Sequence, residues 1–333
     1  MTMTRTRLGK SIPILLTLSF FILITLSDCR RGEVERGSTL PTKNFLTESQ
    51  RTDLQNYCDH LADSADAGIA LTDLRTRKLL VLSNRTYIVE SIHQPASTFK
   101  LITAIAALLR NESRLHDFRC DGKIFLQGDT IHCWDKNGHG PLTLESAIEK
   151  SCNCYFAELG MRIPSEEILS VAQQLGYGKK TLFHSAGEPD GILARTIPPK
   201  EKILLALGHS AGCEVSGLQL LQLMSTLATR GKFISRENLF PWKKLEVITR
   251  GMEKAVLQGT AQPALVSSYP AAGKTGTLRG ATDWETRAWF AGYAPYDDPQ
   301  CAIVVYCQNG TGKNNAAPLA GLVFQKISSM IQP

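Results

Sequence analysis

The sequence predicts an α+β domain behind an export segment. Strand-like runs stand at both ends of the exported part, and apolar runs of helical character fill the middle. A basic stretch followed by an apolar one opens the chain. At 333 residues the chain is long enough for one large or two ordinary domains with a sizeable core.

Taken in order, Arg5, Arg7 and Lys10 precede an apolar run over residues 12–26. That run is shorter than the ~20 residues of a spanning helix, which favours a signal peptide over a transmembrane anchor. It ends at Leu26-Ser27-Asp28-Cys29, so residues 1–29 are read as a signal peptide or as a lipid or membrane anchor. An uncleaved short anchor competes with lipidation at Cys29. Either way the rest of the chain is expected outside the cytoplasm. Residues 30–62 are polar with scattered charge and read as a tether with room for one helix; residues 63–333 form the domain.

Residues 67–72 and 77–82 read as two strands joined by a turn. The run after Lys100, residues 101–109, is apolar on nearly every face, which predicts a helix that begins near Ser97 and is buried inside the domain. Another helix starts near Thr143 and ends at Lys150-Ser151-Cys152-Asn153, followed by helical pieces over 154–160 and 165–175. Gly and Pro punctuate a loop region over 176–200. A long helix is expected over 216–230. Residues 271–277, 287–293 and 301–307 read as three successive strands of an antiparallel meander. An amphipathic helix over 316–331 closes the chain and could cover the sheet.

A net charge of +6 without a concentrated Lys/Arg stripe gives no case for nucleic-acid binding. Of nine cysteines, eight follow Cys29, and export permits disulfides there. Cys120 and Cys133 flank a hairpin-like segment and are the favoured pair if any is bridged. Cys301 and Cys307 lie too far apart along one strand to bond each other. No C-x-x-C occurs and the Cys and His positions lack metal-ligand spacing, so no metal site is expected.

Three short motifs follow one another: Ser97-x-x-Lys100, Ser151-x-Asn153 and Lys274-Thr275-Gly276. Ser97 and Lys100 sit three apart at a helix start, which puts both side chains on one face. A hydroxyl is a poor nucleophile until a base takes its proton. A lysine amine can do so when burial or a nearby cation holds it neutral. The helix N-terminus favours negative charge developing on an attacked carbonyl. Each motif alone also has an ordinary reading. Ser97 could be a helix cap, Ser151-x-Asn153 a helix-end turn, and Lys274-Thr275-Gly276 a solvated strand start. Cys152 and Cys154 read as buried small hydrophobes.

Together, in this order and behind an export signal, the motifs are far more specific. The chain resembles the transpeptidase domain of penicillin-binding proteins, most closely the class B type. The resemblance covers roughly residues 63–333. It rests on Pro95-Ala96-Ser97-Thr98-Phe99-Lys100, on Cys133-Trp134 with Gly138-His139-Gly140 leading to Ser151-Cys152-Asn153, and on Gly273-Lys274-Thr275-Gly276-Thr277 with the strand after it. It implies the serine β-lactamase/D,D-peptidase fold: an antiparallel sheet flanked by helices plus an all-helical subdomain. The chain departs from class B proteins in having only a tether before this domain, and Gly217 stands where the family's Gly-rich turn has Pro.

The resemblance also implies roles. Ser97 attacks a D-Ala-D-Ala peptide carbonyl, Lys100 is the general base, and Ser151 relays a proton to the leaving nitrogen. Asn153 holds the substrate amide, Lys274 supplies positive potential, and Thr275 and Thr277 bond the terminal carboxylate. Gly276 lets the substrate lie against the strand, and the backbone N–H groups of Ser97 and Thr277 form the oxyanion hole. The strand at Lys274 is then an exposed edge that pairs with the peptide. Peptidoglycan stem peptides, β-lactams as inhibitors, cell-wall synthesis proteins and the membrane are the implied partners. No cofactor is implied.

The D,D-carboxypeptidase and the class D-like β-lactamase are the alternatives, with Asn153 arguing against the latter. Glu188-Pro189 resembles the loop glutamate of class A β-lactamases, but it also fits a loop common in penicillin-binding proteins. A sensor that is acylated without turnover is the non-enzymatic reading.

Overall fold

A computed structural model of the chain describes residues 45–112, 118–235, 239–280 and 285–331. The expected export segment and the candidate lipidation position Cys29 lie outside these residues. Among the described residues no helix is long and apolar enough to cross a membrane.

The first elements are α1 (Glu48–Ser64), β1 (Ala67–Asp73), β2 (Leu79–Ser83) and α2 (Lys100–Leu109). Four short strands follow: β3 (Arg119–Cys120), β4 (Lys123–Leu126), β5 (Asp129–His132) and β6 (Gly140–Pro141). Then come α3 (Leu144–Glu149), α4 (Asn153–Arg162), α5 (Ser165–Gln174), β7 (Ile192–Leu193), α6 (Lys202–Leu207), β8 (Cys213–Glu214), α7 (Gly217–Ala228) and α8 (Trp242–Leu257). The last part is β9 (Ala272–Arg279), β10 (Thr286–Ala294), β11 (Cys301–Cys307) and α9 (Ala317–Ile331).

The main sheet has the order β2-β1-β11-β10-β9, and its neighbours are antiparallel. The meander β9-β10-β11 therefore meets the N-terminal strands through β11. Every residue of β11 is buried, because both faces of the sheet are covered. The side-chain period of two splits the strand between two cores. Val304 and Tyr306 join the core with α2 and α7, while Ile303 and Val305 join the one with α1 and α9. The strand β9 is an edge of the sheet, but it is not the exposed edge that the resemblance implies, because Lys274, Thr275 and Gly276 are buried.

Helix α2 has the all-round burial its sequence predicts. Lys100 through Leu108 are all buried, so the helix runs inside the helical part of the molecule. Helix α7 begins at a Ser216–Gln219 capping box, which satisfies two of the amide groups left over at a helix start.

Three differences from the sequence reading have plain causes. Helix α1, in the stretch expected to be a tether with room for one helix, packs Leu54, Cys58 and Ala62 into the outer core against the sheet. Helix α8, for which the sequence reading made no assignment, buries Leu245, Ile248, Met252, Ala255 and Val256, a helical period across a stretch rich in Lys and Arg. The Cys120–Cys133 disulfide is not formed, and the eight described cysteines are all free thiols. Cys133 turns instead toward Cys152, at an Sγ···Sγ distance of 3.8 Å.

Candidate active site

Ser97 lies in a single 3-10 turn, Ala96–Thr98, that feeds directly into α2. The turn is held on three sides. The Ala96 N–H donates to the Gly208 carbonyl at 3.0 Å, and the Thr98 hydroxyl donates to the Pro95 carbonyl at 2.6 Å. Trp289 Nε1 donates to the Gln94 carbonyl at 3.2 Å. Ala96 has a φ of +50°, a left-handed conformation that costs an L-residue about 1–2 kcal/mol. The contact with Gly208 helps hold that conformation. Gly208 itself has φ +81°, and a Cβ there would lie 2.0 Å from the Ala96 carbonyl oxygen. No side chain caps this helix start, so the reading of Ser97 as an ordinary N-cap falls away.

The first motif faces the second through Lys100. Its Nζ donates to Asn153 Oδ1 at 2.7 Å, to the Ser151 carbonyl at 2.9 Å and to Ser151 Oγ at 3.4 Å. Among the described residues it makes no hydrogen bond to Ser97. The third motif reaches the same hydroxyl from the sheet: Lys274 Nζ donates to Ser151 Oγ at 2.7 Å and to the Thr275 carbonyl at 3.0 Å. Ser151 has φ +51° at the bend between α3 and α4. Lys100, Lys274 and Ser151 are all buried.

Two amines packed around one hydroxyl, away from water, cannot both stay comfortably charged. Burial lowers the pKa of Lys100 to about 8. Burial, and then the charge of Lys100, holds Lys274 well below the ordinary lysine range. Burial, with Lys100 adding repulsion, lowers His209 to about 4. The three contacts of Lys100 use all three ammonium hydrogens. Loss of one proton leaves two N–H groups for the shorter contacts and a lone pair free to act as a base.

Thr275 and Thr277 follow Lys274 along β9. The Thr275 hydroxyl donates to Thr260 Oγ1 at 3.2 Å, and the Thr277 hydroxyl accepts from the Gly312 N–H at 3.0 Å. Thr260 in turn donates its N–H to the Glu149 carbonyl at 3.2 Å. The loop after α8 thus ties β9 to the end of α3, two residues before Ser151. The sequence reading did not single out Thr260. Gly276 also differs from expectation, because the space beside it is not open. A Cβ there would lie 3.2 Å from Ala96 Cβ and from the Pro95 carbonyl oxygen. Glycine here lets the edge strand close on the turn that carries Ser97.

Glu188 is buried and accepts from the Thr181 and Ser216 hydroxyls at 2.9 and 3.3 Å. It braces its own loop, as the reading without a catalytic role holds. Beyond the Thr277 end of β9, a cleft of about 340 Å³ is lined by residues that include Gln94, Leu278, Arg279 and Arg287.

One cluster runs against the sequence reading. The donor atoms of Cys120, Cys133, His139 and Cys152 all lie within 4.8 Å of one another. Spacing could not reveal it, since the four come from β3, from the loop after β5 and from the residue before α4. Cys152 is more than a buried small hydrophobe, because its Sγ accepts the Tyr155 N–H at the start of α4.

Residues 67–329 match the family described as penicillin binding protein transpeptidase domain. The chain is 31% identical over 279 residues to stage V sporulation protein D of Bacillus subtilis, covering 73% of this chain and 43% of that protein. It is 25% identical over 307 residues to the peptidoglycan D,D-transpeptidase FtsI of Escherichia coli, covering 80% and 51%. The chain thus spans about half the length of the curated relatives it matches. Among solved structures, the transpeptidase domain of Burkholderia pseudomallei penicillin-binding protein 3 superposes with a TM-score of 0.74 at 20% identity, covering 89% of this chain and 98% of that one. Penicillin-binding protein 3 of Mycobacterium tuberculosis, solved with aztreonam, gives 0.71 at 20% identity, covering 84% and 77%. At such identities these two likenesses speak for the fold alone.

Proposed function

Since this chain belongs to the penicillin-binding protein transpeptidase family, we propose that it is a serine D,D-transpeptidase that cross-links peptidoglycan stem peptides and is acylated by β-lactams. One observation carries the reading. Ser151 Oγ lies 2.7 Å from Lys274 Nζ and 3.4 Å from Lys100 Nζ, which joins the second and third motifs to the lysine of the first in one buried relay.

Neutral Lys100 takes the Ser97 hydroxyl proton as Ser97 Oγ bonds to the carbonyl carbon of the penultimate D-Ala. The backbone N–H groups of Ser97 and Thr277 hold the resulting oxyanion. Collapse breaks the C–N bond, and Ser151 passes the proton from Lys100 to the departing D-Ala nitrogen. An amine of a second stem peptide then attacks the ester, gives its proton back through the same groups and frees Ser97. Asn153 orients the donor peptide amide. Lys274 supplies positive potential for the terminal carboxylate, Thr275 turns its hydroxyl from Thr260 to donate to it, and Thr277 donates to it while still accepting from the Gly312 N–H. The edge position of β9 suits pairing with an extended peptide. The N-terminal pattern supports export and anchoring at the membrane, where cell-wall synthesis proteins would be its neighbours.

Intact-mass spectrometry of the full chain mixed with benzylpenicillin tests this. A long-lived penicilloyl adduct, absent in Ser97→Ala, is the expected result. An adduct that vanishes while drug is consumed would point to a β-lactamase. The absence of any adduct would overturn acyl transfer. An adduct without turnover of a D-Ala-D-Ala peptide would point to the sensor.

A further inference from the structure

Residues 119–141 form a small excursion whose strand residues Ile124, Leu126 and Ile131 are only partly buried against the core. No residue of β4 or β5 is fully buried, and Phe125 of β4 is 68% exposed. A short segment with so little core needs another tie. Its loop folds tightly back on itself. Gly122 and Gly138 have φ of +85° and +79°, and a Cβ on either would fall 2.2 Å from the Lys136 carbonyl oxygen or 2.1 Å from that of Cys120. The pairing of β3 with β6 then sets Cys120 opposite Gly140, beside His139. Cys133 follows the hairpin β4-β5 directly. Cys152, at the start of α4, completes the group from the helical side.

We propose that Cys120, Cys133, His139 and Cys152 hold a zinc ion that pins this excursion to the Ser151-x-Asn153 motif. Three sulfurs and one imidazole nitrogen are a donor set of closed structural zinc sites, and magnesium or calcium would require oxygen ligands. The spacing fits as well. A tetrahedron with Zn–S near 2.3 Å and Zn–N near 2.0–2.1 Å has S···S edges of about 3.8 Å and S···N edges of about 3.6 Å. Cys133 Sγ lies 3.8 Å from Cys152 Sγ and 3.4 Å from His139 Nδ1. A disulfide would need the two sulfurs at about 2.05 Å and would leave Cys120 and His139 unexplained. The three cysteines are at most 5% exposed.

Binding replaces three thiol protons by one Zn²⁺, and the protons leave to solvent. The Cys152 sulfur also accepts the Tyr155 N–H, which orients a ligand from outside the metal shell as such bonds do. Cys152 stands between Ser151 and Asn153, and both of these bond Lys100. Asn153 Nδ2 donates to the His132 carbonyl, the residue before Cys133. The ion would therefore set where the second motif stands relative to Lys100, and its ligands are positioning residues.

The test is metal analysis of the full chain, purified in detergent with a peptide tag free of histidine and without chelator. About one zinc per chain is expected, as for any single structural site. It should fall to background in Cys120→Ser and His139→Ala and stay in Cys213→Ser, whose thiol is buried elsewhere. Replacement by cobalt should give sulfur-to-cobalt charge-transfer bands and the intense visible bands of tetrahedral thiolate coordination. This reading needs no variant to fold. Zinc at background with no such cobalt spectrum, or an isolated protein lighter by two hydrogens through a Cys133–Cys152 bond, would overturn the proposal. So would zinc retained by a folded Cys120→Ser, Cys133→Ser double variant. A further arm rests on the proposed acyl transfer: chelation should slow penicillin acylation at least tenfold, with zinc restoring it. The metal and cobalt readings stand whether or not the chain is acylated.

Discussion

Lys274 Nζ and Ser151 Oγ are 2.7 Å apart although 123 residues separate them in the chain. The contact bridges the edge of the sheet and the helical part, and the groups proposed for acyl transfer gather along it. Removing the amine should uncouple the two halves of the site. Lys274→Ala is expected to lower the second-order rate of acylation by a β-lactam bearing a carboxylate by 10²-fold or more, roughly the loss of one charge-assisted contact and its field. Stopped-flow or gel-based acylation kinetics read this directly. A change under threefold would remove Lys274 from the site.

The base assigned to Lys100 makes a signed prediction about pH. Lys100 acts only when neutral, and burial lowers its pKa to about 8. Below that midpoint the acylation rate should rise about tenfold per pH unit, and above it should level off. Lys100→Arg keeps the positive charge but cannot give up a proton, so the rate should fall about 10²–10⁴-fold and the rising limb should vanish. A flat profile in the wild type would exclude Lys100 as the base.

Gly276 supports a prediction about packing. Its missing Cβ leaves room for Ala96 and Pro95 at 3.2 Å. Gly276→Ala must push the edge strand off the Ser97 turn by a few tenths of an ångström. We expect acylation to drop at least tenfold, with a stability loss in the range of about 1–3 kcal/mol for a tight small-to-large change. Acylation kinetics and urea melts, measured on the same protein, separate the two effects.

Thr260 should act at a distance from the chemistry. It accepts from Thr275 and bonds the Glu149 carbonyl. Thr260→Val keeps the shape and removes the hydroxyl, at a cost of about 0.5–1.5 kcal/mol for a lost hydrogen bond. Acylation should also slow, because Thr275 loses its orienting partner. Unchanged kinetics alongside a lowered urea midpoint would make Thr260 purely structural.

The buried helix behind Ser97 offers a stability test. Ile102 is fully buried in α2. Ile102→Ala is expected to cost about 2–5 kcal/mol through lost burial and a residual cavity. Equilibrium urea unfolding gives the value, and a cost under 1 kcal/mol would mean that the helix packs loosely.

Much of this molecule could be read in the chain before any coordinates. Residues 101–109 are apolar on nearly every face, the pattern of a helix inside a core. The meander β9-β10-β11 was legible because each strand is a continuous apolar run bounded by turn residues. The three motifs proposed to carry the chemistry are legible because they are short and follow one another in a fixed order. Helix α8 is hard to read from the chain because its apolar period is spread among lysines and arginines.

The sequence alone determined the residue types, the order of the motifs and the local structure that carries each, since these follow from side-chain period and backbone preference over a few neighbouring residues. Tertiary structure decided which groups meet. Lys100 faces Ser151 and Asn153 because α2 packs beside the bend between α3 and α4. Gly276 faces the Ser97 turn because β9 is the edge strand on that side. Cys120, Cys133, His139 and Cys152 converge because β3 pairs with β6 and the loop between them is folded by left-handed glycines. Contacts between distant residues depend on how helices and sheet pack against each other, and no periodicity along the chain encodes that packing.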